Sequence, residues 1–185
     1  RFTGRPIPTL QSIDREGKVL YVNTFSRTLA PSLRISYLVL PRELLKEYEG
    51  RLGFYSSTVP AIEQYTLALF LEEGHFERHL NRMRVFYRNR RDQVIAAIGR
   101  SPLAGRCRVL GEEAGLHFLL RLDTELEDAQ LEKLAREKGI RLSFLSRYER
   151  MPGRAGAHTL VVSYPGLEEE KLEAGLEVLA QLLDK

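Results

Sequence analysis

At 185 residues, 43% apolar, 29% charged and with a formal net charge of only +3, the chain is long enough for one large domain or two small ones with a real core. Its composition excludes intrinsic disorder, and no apolar run approaches the roughly 20 residues that span a bilayer. With neither a leader-like opening nor a strong basic excess, a cytoplasmic protein is expected, and charge alone makes no case for nucleic acid.

Residues 1–14 hold Gly4, Pro6 and Pro8 among few apolar side chains and read as an extended surface segment. A strand is predicted at about 18–23 and a second over 35–40, stopped by Pro41, after which a helix fits 42–49 until Gly50 and Gly53 break the pattern. Thr58 reads as the N-cap of another helix, with Pro60 in its first turn and apolar residues Ile62, Leu67, Phe70 and Leu71 up to Gly74, buried over much of its surface. A long helix follows over 75–98, with Phe76, Leu80, Met83, Tyr87, Val94 and Ile98 on one side. Its arginines, Arg78 to Arg91, read as a solvated face rather than a DNA contact, since no helix-turn-helix core accompanies them.

Residues 99–105, with Pro102, make the best domain boundary, so two domains are expected, 1–100 and 101–185. Strands are predicted over 106–110, 116–122, 140–145 and 158–164, and helices over 128–138 and 167–183, with Gly139 as C-cap chemistry. Residues 147–157 read as an exposed loop. The result is a compact α+β unit with helices over one face of a mostly antiparallel sheet. Cys107 is the single cysteine and reads as a small apolar filler, and the four histidines lack a metal-site pattern, so no metal is expected.

The informative stretch is the polar loop between the first two strands. A strand, a hydroxyl-rich turn with a basic residue and a second strand can hold a phosphate at a sheet edge. The loop reads Thr24-Phe25-Ser26-Arg27-Thr28-Leu29-Ala30-Pro31-Ser32-Leu33-Arg34-Ile35-Ser36-Tyr37. It resembles the lysine loop of fold-type I pyridoxal-phosphate (PLP) enzymes, and more closely that of the aminotransferase-like domain of MocR-type regulators, a branch of the GntR transcription factors. Further matches are the stretch from Gly4 to Gln11, the helix start from Val59 to Gln64, the stretch from Glu72 to Arg84, and Ala114-Gly115-Leu116-His117.

The resemblance implies an α/β fold: the second half of a PLP-binding large domain with its interdomain helix, then a small C-terminal α+β domain. The first half of the large domain and the winged helix that binds DNA in such regulators would lie outside the chain, which begins at Arg1 and reads as a fragment. Arg27 occupies the position of the lysine that forms the Schiff base. A guanidinium stays protonated and is a very poor nucleophile, so transamination is not expected and PLP, if bound, is held noncovalently. By the resemblance Arg34 would grip the phosphate, with Thr24 as a hydroxyl donor and Ser26 nearby, and Arg27 could add paired N–H donors.

A second departure falls at Val161, where aminotransferases place an arginine that clamps the substrate carboxylate. Arg147 or Arg154 could substitute. The first reading is therefore a ligand-sensing and dimerisation domain of a MocR/GntR-type regulator, homodimeric, with a small amine or amino-acid effector. The alternative is a fragment of a PLP-dependent class I/II aminotransferase.

Overall fold

The computed structural model describes the chain except for Thr3, Pro6, residues 150–155 and Lys185, so Arg154, Pro152 and Gly153 lie outside the described residues. Two compact units are present, one formed by Arg5–Met83 and the other by Arg1–Gly4 with Arg84–Lys185.

The first unit opens with one helical turn, α1 (Leu10–Ile13), where an extended segment was expected. Thr9 makes the difference, because its hydroxyl accepts the Ser12 N–H at 3.1 Å and caps the turn. Asp14 then organises the bend that follows: its carboxylate accepts backbone N–H groups of Glu16, Lys18 and Val19 at 2.9, 2.7 and 2.8 Å. These bonds favour the ionised form and hold its pKa below the ordinary 3.8.

Strands β1 (Tyr21–Thr24) and β2 (Ser36–Val39) pair antiparallel, with Tyr21 opposite Val39 and Thr24 opposite Ser36. Helix α2 (Arg42–Leu52) starts behind Pro41 and runs through Gly50, which good helix formers on both sides carry along. Helix α3 (Ala61–Glu72) has Pro60, not Thr58, at its N-cap, because a proline keeps the residue before it out of the helical region and so stops the helix from starting earlier. No side chain of α3 is buried, against expectation: Ile62 and Tyr65 are 76% and 73% exposed. Ile35 is the one buried apolar residue of this unit among the described residues, because its two short strands and the helices beside them supply no second layer.

Helix α4 (His75–Arg100) carries its buried residues, Arg91, Val94, Ala97 and Ile98, in its C-terminal half. Arg91 is thus not part of a solvated face. It lies 4.8 Å over the Phe2 ring, donates to the Glu112 carbonyl at 2.8 Å and pairs with Asp92, which satisfies the buried guanidinium.

In the second unit β3 (Cys107–Leu110), β4 (His117–Leu122) and β5 (Thr159–Ser163) form an antiparallel sheet in that order. Alternate residues Phe118, Leu120 and Leu122 point into a core shared with Leu131 of α5 (Asp128–Glu137) and Leu176 and Leu179 of α6 (Glu169–Leu183). Gly139, at φ +78, ends α5: it donates to Arg136 O at 3.0 Å while Ile140 N donates to Ala135 O at 2.9 Å.

The strand expected over 140–145 does not form. A single bridge, Phe144 to Leu160, and the bond from Val161 N to Ser143 O hold that segment beside β5, and the chain then turns into a 3-10 helix, Leu145–Tyr148.

Candidate functional site

The candidate site is the loop from β1 to β2. Its base is tied by two bonds to one carbonyl: Phe25 N and Thr24 Oγ1 both donate to Ile35 O, at 2.9 and 3.0 Å. Thr24 Oγ1 in turn accepts Ser26 N at 3.2 Å and lies 3.2 Å from Ser26 Oγ. With its proton committed to Ile35, Thr24 serves the loop, and the Ser26 hydroxyl lies within hydrogen-bond reach of Thr24 Oγ1. Thr28 N and Leu29 N close the turn on Phe25 O at 3.1 and 2.8 Å.

The loop then makes a 3-10 turn, Pro31–Leu33, which Arg34 ends in the left-handed conformation, φ 51 and ψ 21. For a residue with a Cβ this conformation costs about 1–2 kcal/mol. Arg27 and Arg34 are both exposed, and neither has a hydrogen-bond or ion-pair partner among the described residues. An uncommitted guanidinium suits an oxyanion such as a phosphate monoester. Residues 23–37 contain no lysine, so the loop carries no side-chain amine that could condense with an aldehyde.

On one side the same loop borders an open cleft of about 800 Å³, lined by Thr24, Phe25, Ser36, Tyr37, Phe76 and Leu80 among others. Of the four residues singled out from sequence, Thr24 alone lines it. Thr24 and Ser26 are brought together, whereas no contact links Arg27 to Arg34. Sequence reasoning gave no role to the aromatic cluster here: Phe25 lies 5.4 Å from Tyr37 and 5.8 Å from Phe76, and Tyr21 lies 6.0 Å from Tyr37. The recurrence of aromatic residues at 21, 25 and 37 was the signal available. Loss of water around the Tyr37 hydroxyl, with the Tyr21 hydroxyl beside it, pushes its pKa above 10.0.

Val161, half-buried on β5 opposite Leu119, brings no cation to the carboxylate position. Arg147 is held by both oxygens of the buried Glu132 carboxylate, at 2.5 and 2.6 Å. Glu132 also accepts from Arg136 at 2.9 Å. The helical pair His75 and His79 does not converge on a metal position: His75 lies 3.0 Å from Glu73 and 2.9 Å from Arg78.

The chain is 36% identical over 181 residues to the HTH-type transcriptional regulator YhdI of Bacillus subtilis, which is itself uncharacterised. It is also 36% identical over 183 residues to the probable rhizopine catabolism regulatory protein MocR of Rhizobium meliloti. Over nearly its whole length the chain is similar to MocR-type regulators. Each match covers 97% of the chain, which spans 38% and 36% of the two regulators. The fold is that of fold-type I aminotransferases: kynurenine aminotransferase of Pyrococcus horikoshii superposes over the whole chain with a TM-score of 0.78 at 23% identity, 45% of that enzyme being covered. No protein-family model matches the chain. No helix among its described residues is long and apolar enough to cross a membrane.

Proposed function

We propose that this chain is the ligand-sensing and dimerisation part of a MocR/GntR-type transcription regulator, in which the β1–β2 loop grips an oxyanion, the phosphate of PLP included, without a covalent bond. The observation that carries this reading is that the guanidiniums of Arg27 and Arg34 have no partner among the described residues, on a loop that lacks a lysine. The kynurenine aminotransferase was solved with PMP, which supports a cofactor-like ligand here. The domain binds rather than catalyses, since Arg27 cannot condense with an aldehyde.

On this reading residues 1–100 are the second half of a large domain and residues 101–185 the small domain. The apolar faces open on Arg5–Met83 are then those that the rest of the large domain covers, DNA is read by a winged helix elsewhere in the protein, and the regulator acts as a cytoplasmic homodimer. Its effector is a small amine or amino acid, held without an arginine at position 161. A second reading, a fragment of a class I/II aminotransferase, draws on the structural likeness and conflicts with Arg27.

Thermal melts of the full-length protein with PLP and with pyridoxal, which lacks the phosphate, separate a phosphate grip from ring binding. A ligand bound only by the folded state raises the melting temperature. PLP is expected to raise it and pyridoxal to leave it unchanged, whereas equal shifts would overturn the phosphate grip.

A further inference from the structure

The register of the three-stranded sheet sets Arg108 of β3 directly opposite Arg121 of β4. Both are exposed, and the alternation along β4 puts Arg121 on the face away from Phe118, Leu120 and Leu122. Neither arginine has an ion-pair or hydrogen-bond partner among the described residues. They border an open hollow of about 360 Å³ with Gly105, Arg106, Leu110 and Asp123. Arg106 is already engaged, with Asp184 and with the Leu183 carbonyl at 2.6 Å, and Asp123 pairs with neither opposed arginine.

Like charges directly opposite in a ladder destabilise it, and arginine cannot relieve the repulsion by losing its proton. A counter-charge from outside removes the penalty, and two planar guanidinium forks match an oxyanion that accepts several N–H bonds at once. We propose that Arg108 and Arg121 form a binding site for a doubly charged oxyanion, a phosphate or the phosphoryl group of a small metabolite. This site is separate from the β1–β2 loop and does not rest on the function proposed for it.

The test is a calorimetric titration of inorganic phosphate into the full-length protein, with ionic strength held constant by chloride, using the natural protein, R108Q/R121Q and R34Q. A phosphate-binding component is expected that R34Q retains and that weakens about tenfold or more for each arginine removed from the sheet pair. A melt in phosphate-free, low-salt buffer gives the complementary readout: R121Q should unfold at a higher temperature than the natural protein and gain less from added phosphate. Unchanged phosphate uptake by R108Q/R121Q, loss of all uptake in R34Q, equal effects of phosphate and chloride, or a lower melting temperature for R121Q would each overturn the site.

Discussion

Thr24 Oγ1 donates to the carbonyl oxygen of Ile35 at 3.0 Å, and through this bond the two ends of the β1–β2 loop are held together. Replacing the hydroxyl by a methyl in Thr24→Val keeps the shape and removes the tie. A loss of about 1 kcal/mol in unfolding free energy is expected, with Thr24→Ser close to the natural protein. PLP affinity of the full-length protein, measured in parallel, should fall in the valine variant because the loop that presents Ser26 loosens.

Arg34 sets stability against binding. Its left-handed backbone suits glycine, so Arg34→Gly is expected to raise stability by about 1 kcal/mol in the absence of ligand while abolishing the PLP-dependent rise in melting temperature. Denaturant unfolding with and without PLP checks both. A destabilised Arg34→Gly would show that the guanidinium is structural.

The Glu132 carboxylate holds Arg147 and Arg136, and both arginine side chains are more than half exposed. Removing the carboxylate leaves them hydrated, so Glu132→Ala should cost only about 1–2 kcal/mol. Arg147→Ala should lower the melting temperature and leave effector affinity unchanged. A loss of amino-acid binding in Arg147→Ala would restore this residue as the carboxylate clamp.

Tyr164 donates its hydroxyl to Gly115 O at 2.5 Å and stacks on Phe118. Burial pushes its pKa above 10.0, so its contribution to stability is complete below that value and is lost as pH rises through the higher folded pKa. Unfolding free energies of the natural protein and Tyr164→Phe, measured from neutral to alkaline pH, should differ most at neutral pH and converge in the alkaline range.

The two units differ in what they bury, and hydrogen exchange on the isolated 185-residue chain should separate them. Amides of β4 and α5 are expected to be strongly protected, while those of α3 exchange fast. The basis is the contrast between Leu131, fully buried on α5, and Ile62 at 76% exposure on α3. Comparable protection of both helices would show that α3 is covered within this chain.

Much of this was legible where chemistry is local. Pro41 marked the start of α2 and Gly139 the end of α5, because each residue's backbone preference acts within one turn. The loop was legible from its wording, and the antiparallel small sheet from its alternating apolar residues. Two features depended on partners distant in sequence: residues 140–144 make a single bridge, to Leu160, in place of a strand, and the burial of Arg91 required Phe2. The apolar residues of α3 could not reveal that no layer of this chain covers them.

The central claim, that the loop grips its ligand without a covalent bond, is tested most directly by borohydride reduction of the full-length protein saturated with PLP, followed by mass spectrometry of the peptide carrying residues 23–37. The natural protein should show PLP-dependent stabilisation and no added mass on that peptide, whereas Arg27→Lys should gain a reduced adduct there. A reduced PLP adduct on that peptide in the natural protein would contradict the claim.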